Sequence, residues 1–494
     1  MKFDLKERTS IFTYIFIWGL LSINGYAQIS FAKSEQKFGN SYSWNISLGD
    51  AENDGDLDAY VSNWFPGINQ FCELWLNNGS GIFSKSSQVF PSSQSGMILG
   101  DLNEDGFIDI WSGGTQWSGD SEGKVWLNDG TGKYSVDSQN YTSGNSALGD
   151  IDEDGDLDAL VANWKLGVKI YLNNGNGQFT PKPPNLEQIS AQNVALGDLD
   201  GDGDLDAYVT SSASDQNYEG HPDQVWFNDG LGTFTNSGQN IGNYSGVNIS
   251  LGDVDNDTDL DVLVANAHKA PGPTEPAHPN KLYLNDGNGI LTDSNQDMDI
   301  SPISSVAFCD IDNDGDLDAI IFNGLRILGM GSPNVIKIND GNGNFTDSGL
   351  KLGNFDTIDG APGDLNGDGK IDLFDANNGD VGQENEVWFN TTVTSLDDTR
   401  ISSKIYPYAY QLFQNYPNPF NPTTTIRYDI PKTSQVTLTI YNMNGQVVEK
   451  LVNQQQEPGF YSVNWDARNI STGVYFYQIR AEGFQKVKKM LLIK

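Results

Sequence analysis

The chain has 494 residues, with 66 Asp and Glu against 28 Lys and Arg, and a formal net charge of -38. Nucleic acid and anionic membrane are recognised through Lys and Arg, so a surface this acidic excludes both and favours cations. The 54 glycines, with 11 Trp, 20 Tyr and 24 Phe, suit many short strands joined by tight turns and argue against a helical protein.

The N-terminus places Lys2, Lys6 and Arg8 before a mostly apolar run, Ile11 to Ile23, and then the small residues Gly25 and Ala27. Residues 1–27 therefore read as a secretory signal peptide, cut after Ala27. The run is short against the roughly 20 residues of a membrane span, and no other segment is long and apolar enough, so no span is expected after cleavage. Two cysteines, Cys72 and Cys309, fall in non-adjacent repeats and are expected to be unpaired, mostly buried thiols.

An Asp-rich run of nine residues then occurs seven times, at intervals of 48 to 57 residues. The copies begin at Asp50, Asp101, Asp150, Asp198, Asp253, Asp310 and Asp364. Each is followed by a second phrase, such as "VWLNDGTGKY" from Val125 or "VWFNDGLGTF" from Val225. A period near 50 means an array or a propeller. Each repeat divides into four strands, in the fourth repeat Asn193–Leu196, Leu205–Val209, Gln224–Asn228 and Gly232–Thr235. The Asp-rich loop joins the first strand to the second, and an Asn-Asp-Gly hairpin joins the third to the fourth. The last repeat stops at "VWFNTT" (Val387–Thr392) without a fourth strand, and "ISFAKSEQKFGN" (Ile29–Asn40) is expected to supply it. The fold class is thus all-β: a seven-bladed β-propeller of four-stranded blades over residues 28–392, closed by its own N-terminal strand.

Within each nine-residue run, positions 1, 3, 5 and 9 carry oxygen side chains. In the first three they are Asp50, Glu52, Asp54, Asp58; Asp101, Asn103, Asp105, Asp109; and Asp150, Asp152, Asp154, Asp158. In the fourth and fifth they are Asp198, Asp200, Asp202, Asp206; and Asp253, Asp255, Asp257, Asp261. In the last two they are Asp310, Asp312, Asp314, Asp318; and Asp364, Asn366, Asp368, Asp372. Position 7 ranges from Asp204 to Phe107 and Lys370, so only its carbonyl can be common to all. Hard oxygens at alternate positions, a glycine at the sharp turn and a main-chain oxygen at 7 are the requirements of calcium. Up to seven structural calcium ions are expected, with the fifth and seventh loops doubtful. Thr258 replaces the glycine in the fifth, and the seventh has three acids. An EF-hand would need an acid at position 12, where six copies have Val, Ser or Ile; only the seventh has one, Asp375, and that loop alone resembles a dockerin loop. Solvated acidic turns would explain Asp and Gly but not the fixed alternation. The repeats resemble FG-GAP or VCBS repeats of integrin-α-like propellers, and the resemblance implies a seven-bladed propeller with calcium in its hairpin loops.

The tail opens with a polar linker over 393–405. In 406–494, strands at a spacing near ten residues suggest a small Ig-like β-sandwich. The phrases "YPNPFNP", "YSVNWDARN" and "GVYFYQIRA" resemble the type A C-terminal sorting domain of the type IX secretion system. That resemblance implies export through the periplasm to the outer-membrane surface or beyond, with the type IX machinery as a partner.

The face opposite the Asp-rich loops varies most between repeats. Trp64, Trp117 and Trp164 fall in the loops between second and third strands, and Trp44 near the start of a first strand. Such rings suit sugars or a partner protein, or simply pack between blades. His221, His268 and His278 lie in neighbouring insertions, where they either meet to hold zinc or are merely exposed by Pro- and Gly-rich loops. "GDSEG" (Gly119–Gly123) matches G-x-S-x-G but lacks the strand-to-helix elbow that motif needs. The reading is a secreted or cell-surface calcium-binding propeller, not an enzyme, that recognises an extracellular glycan or protein. A carbohydrate-active enzyme and a passive extracellular scaffold are the alternatives.

Overall fold

Seven repeats become seven four-stranded antiparallel sheets, and the reason lies in the second strand of each. Stretches such as Asp158–Asn163 (DALVAN) and Asp206–Ser211 (DAYVTS) are buried at every position. A strand apolar on both faces has to be covered on both sides. Here each sheet is covered by its two neighbours. The computed structural model describes residues 29–492, apart from 65–70, 94, 115–121, 184–185, 187–189, 212–220, 243, 267–277, 300–302, 325–331, 379–382, 393–409, 413–419, 421, 444, 458, 469 and 482–483. The expected signal peptide lies outside them.

The first unit, Met1–Ser395, holds these seven sheets. Their first strands are Ser43–Gly49, Met97–Gly100, Asn145–Gly149, Ala191–Gly197, Gly246–Gly252, Ile303–Cys309 and Thr357–Gly363. Each first strand touches the next, and the last touches the first, so the sheets form a closed ring. Seven separate apolar clusters fill the seven seams. One joins Ile151, Leu160 and Val168 to Val194, Val209 and Trp226; another closes the ring by joining Ile46, Val61 and Trp75 to Leu365, Phe374 and Val387. Close approach at the centre explains the glycine of the recurrent "LGD". A Cβ on Gly149 would lie 2.6 Å from Leu205 Cδ1, and one on Gly197 would lie 2.7 Å from Leu260 Cδ1. The position-8 leucine or isoleucine of a loop therefore seats on the glycine of the preceding sheet, except where Cys309 replaces that glycine.

The last sheet is completed from the N-terminus. Phe31–Lys33 pairs antiparallel with Glu386–Asn390, aligning Phe31 with Asn390 and Lys33 with Trp388. Lys33 Nζ also donates to the Glu386 carboxylate, and Ser30 N to Thr392 Oγ1 at 3.1 Å. The strand is three residues long, shorter than the sequence stretch that suggested it. In the fourth repeat the outermost strand is Thr235–Asn236, later than expected, because Gly230 and Gly232, at φ of 68° and 69°, belong to the turn itself. Cys72 and Cys309 are buried and unpaired.

The second unit, Leu396–Lys494, holds two sheets. One contains Gln411–Leu412, Thr423–Ile430 and Gly459–Asp466, and the other Ser434–Asn442, Val447–Gln456, Gly473–Ala481 and Phe484–Leu492. Ile426, Tyr428, Leu438, Trp465, Tyr477 and Met490 fill the space between them. No helix among the described residues is long and apolar enough to cross a membrane.

Candidate metal centres

Every Asp-rich loop is wound by the same hydrogen bonds. The carboxylate at position 1 accepts the N–H of position 6, as in Gly203 to Asp198 at 3.1 Å and Thr258 to Asp253 at 3.0 Å. The carboxylate at position 5 accepts the N–H of position 7, as in Asp204 to Asp202 at 3.0 Å and Lys370 to Asp368 at 3.0 Å. In the first six loops the side chain at position 7 turns away and lies over the hairpin glycine of its own sheet; in the seventh, Lys370 Nζ donates to the Thr392 carbonyl at 2.8 Å. A Cβ on Gly230 would stand 2.8 Å from Asp204 Oδ1, and one on Gly130 would stand 2.5 Å from the Phe107 ring. Position 4 takes the left-handed conformation in all seven copies, from φ 56° at Asn53 to 78° at Gly201. Position 6 does so too, including Thr258 at 82°, where a β-branched residue is strained.

Position 9 is the buried end of the site. Asp58, Asp109, Asp158, Asp206, Asp261, Asp318 and Asp372 are at most 1% exposed. Each accepts a main-chain N–H from position 2 and another from the asparagine that follows the third strand. For Asp206 these donors are Leu199 at 2.9 Å and Asn228 at 2.9 Å, and the Asp200 N–H adds a third at 3.2 Å. Burial pushes this carboxyl up to about 7 in Asp158 and Asp318 and to about 6 in Asp206 and Asp372, against the pull of those donors.

Four loops bring three carboxylates together, with one oxygen from each lying within 4.8 Å of the others: Asp150, Asp152, Asp158; Asp198, Asp200, Asp206; Asp253, Asp255, Asp261; and Asp310, Asp312, Asp318. These are positions 1, 3 and 9; the carboxylate of position 5 is not in the cluster. In the same four loops Oδ1 of position 3 (Asp152, Asp200, Asp255 and Asp312) is buried and accepts no hydrogen bond. A buried carboxylate oxygen without a donor is costly. With two like charges beside it, it fits a hard divalent cation bound by oxygen. The fifth loop, with Thr258, has this arrangement as fully as its neighbours. The first loop carries Glu52 at position 3, and the second and seventh carry Asn103 and Asn366.

The asparagine heading each hairpin turn does more than the turn requires. Asn228 Nδ2 donates to the carbonyl of Ile151, position 2 of the preceding loop, at 2.8 Å, and to Leu205, position 8 of its own loop, at 3.2 Å. The link to the preceding loop recurs at every seam: Asn128 to Ala51 (2.9 Å), Asn173 to Leu102 (2.9 Å), Asn285 to Leu199 (2.8 Å), Asn339 to Val254 (2.7 Å) and Asn390 to Ile311 (2.8 Å). Asn77 to Leu365, at 2.8 Å, closes the circuit across the seam between the last sheet and the first. The sequence shows this asparagine in all seven copies, and hairpin chemistry accounted for it in the six that have a hairpin turn.

The opposite face is only partly described, because segments between second and third strands in six sheets lie outside the described residues. Trp117 and His268 are among those residues, as is most of "GDSEG". Trp44 Nε1 donates to the Trp64 carbonyl at 2.7 Å, and the two rings meet edge to face at 5.5 Å. Lys165 Nζ sits 4.5 Å from the centre of the Trp164 ring. His278 packs on Tyr244 at 4.8 Å, and the His221 carbonyl accepts from Ser211 Oγ. Among the described residues, no cluster of candidate metal ligands contains a histidine.

Comparison with known families follows the same division of the chain. Residues 150–209 and 267–321 match the FG-GAP-like repeat, and residues 414–494 match the secretion system C-terminal sorting domain. No curated protein matches. Similar solved structures include BBS1N in complex with ARL6DN, at 10% identity over 74% of this chain and 98% of that one, with a TM-score of 0.48. They also include PorZ of Porphyromonas gingivalis, a surface component of the type-IX secretion system (13%, 92% and 59%, 0.37). Trypanosoma rangeli sialidase is a third (10%, 94% and 88%, 0.37). These likenesses concern the fold and carry nothing about activity. The chain is an all-β propeller carrying FG-GAP-like repeats, followed by a secretion system C-terminal sorting domain that indicates export by the type IX route.

Proposed function

We propose that the propeller is a calcium-stabilised recognition module, displayed on the cell surface or released, whose ligand is a glycan or protein met outside the cell. The observation that supports the calcium reading is the set of four buried position-3 oxygens without donors, each beside the carboxylates of positions 1 and 9. Asp152, Asp200, Asp255 and Asp312 would hold the ion together with those partners, position 5 and the carbonyl of position 7. The ion would neutralise clustered charge and fix a hairpin; it needs no part in chemistry. Recognition then falls to the opposite face, where Trp44, Trp64, Trp117, Trp164, His221, His268 and His278 are the candidates.

The propeller, residues 28–395, is to be melted in a calorimeter with calcium and with EDTA. A rise in Tm on adding calcium is expected, and equal melts sink the metal reading. A glycan array with the same two samples tests recognition. Retention of a glycan without turnover is the expected result, release of product would instead identify a carbohydrate-active enzyme, and silence would leave a protein ligand or a scaffold.

A further inference from the structure

The asparagine at the head of each hairpin turn touches two candidate calcium loops at once. Asn285 has its N–H and both polar atoms of its side chain engaged. Its N–H donates to Asp261 Oδ1 at 2.8 Å, and its Oδ1 accepts from Asp286 N at 2.9 Å. Its Nδ2 donates to the Leu199 carbonyl at 2.8 Å and to the Leu260 carbonyl at 3.1 Å. Leu199 lies between Asp198 and Asp200, the first two ligand positions of the fourth loop. Leu260 immediately precedes Asp261, the last ligand position of the fifth. One amide therefore holds the peptide between two ligands of one site and the peptide beside a third ligand of the next.

The circuit continues on both sides. The Leu199 N–H donates to Asp206 Oδ2 at 2.9 Å, and Asp206 Oδ1 accepts from Asn228, which reaches back to Ile151 in the third loop. In the other direction Asn339 joins Val254 of the fifth loop to Leu317 of the sixth, at 2.7 and 3.0 Å. Position 2 is thus pinned twice, by its N–H to its own loop and by its carbonyl to the following sheet.

We propose that these asparagines are positioning residues for calcium, each setting the affinity of the two loops it joins. The inference rests on the calcium reading above. Outer partners that orient metal ligands typically change affinity about 10- to 100-fold when removed.

The test is calcium titration calorimetry on the full chain as wild type, Asn285→Ala and Asn288→Ala. Asn288 lies in the same turn but bonds only within it, to the Asp286 carbonyl at 3.2 Å. For Asn285→Ala two sites are expected to weaken about 10- to 100-fold while the rest keep their affinity, and the calcium-dependent rise in Tm shrinks. Asn288→Ala is expected to match wild type. A purely structural asparagine would lower Tm equally with calcium and with EDTA and leave stoichiometry and Kd unchanged, and that result overturns the proposal while the calcium reading stands. Wild type that takes up no calcium overturns both. Should Asn285→Ala not fold, Asn285→Ser keeps one donor and is expected to weaken the same two sites by less; unchanged affinity there overturns the proposal equally.

Discussion

Asp223 offers a test of whether one buried carboxylate sets the pH dependence of the ring. It stands just before the third strand of the fourth sheet, 4% exposed, accepting the Ser211 N–H at 3.0 Å and the Tyr208 hydroxyl at 3.1 Å. The next three sheets place asparagine there. Asn280, Asn334 and Asn385 accept the corresponding N–H at 3.1, 3.0 and 2.9 Å and bring no charge. Burial pushes the Asp223 carboxyl from 3.8 up to about 7, more than its two donors pull it down. Because the folded value lies above the unfolded one, the folded state holds the proton more tightly. Stability is then full below the unfolded value and falls as pH rises towards 7. A rise of about 3 pH units at 1.36 kcal/mol each is about 4 kcal/mol lost by pH 8.

Asp223→Asn removes that loss while keeping the acceptor for Ser211. The variant should be more stable than wild type by up to about 4 kcal/mol at pH 8, with the difference falling to near zero at pH 4. Urea unfolding of both proteins in saturating calcium, followed by Trp fluorescence at several pH values, measures it. Taking the difference cancels the carboxylates that both proteins share. A difference that is flat across pH, or an Asp223→Asn protein that is less stable than wild type at pH 8, refutes the reasoning.

Thr258→Gly should stabilise the fifth loop by about 1–2 kcal/mol, read as a higher Tm in EDTA, because it relieves a β-branched residue at φ 82°. Gly360→Ala should destabilise by about 1–3 kcal/mol in the same melt, since its Cβ would fall 2.2 Å from the Phe322 ring in the neighbouring sheet. Deleting residues 29–33 should leave Glu386–Asn390 as an open edge, and size-exclusion chromatography should show oligomers or aggregate where the full chain is monodisperse.

The sequence made the repeat legible because position 7 varied freely while positions 1, 3, 5 and 9 kept oxygen-bearing side chains. It made ring closure legible because the last repeat ended one strand short. What it hid are relations between repeats. The glycine of "LGD" has no explanation within its own repeat; Gly197 is small because Leu260 of the next sheet lies against it. The hairpin asparagine looked like turn chemistry, and its second partner lies far off in the chain, 77 residues away for Asn228 and Ile151. Position 4, a mixture of Asn, Glu and Gly, concealed a shared left-handed backbone, because Glu104 and Glu153 adopt it as well. Asp223 was hidden by an insertion that obscured its alignment with Asn280 and Asn334. Asp375 was noticed as an acid at position 12, yet its role is internal. It accepts from Asn334 Nδ2 at 2.9 Å and Trp388 Nε1 at 3.1 Å across and within the last seam.

The closing strand also imposes a timetable. Ser30 and Thr392 bond across 362 residues of chain, and Lys33 meets Glu386 across 353. Whatever emerges first during synthesis or export is therefore finished last. The six seams between consecutive repeats can form as each sheet appears, at short range and in order. The seventh must wait for nearly the whole propeller and must then overcome the slow closure of a very long loop. Until that moment Glu386–Asn390 lacks its partner strand and the apolar faces of the first and last sheets are uncovered, so a helper that delays aggregation would act in the interval between the sixth seam and the seventh.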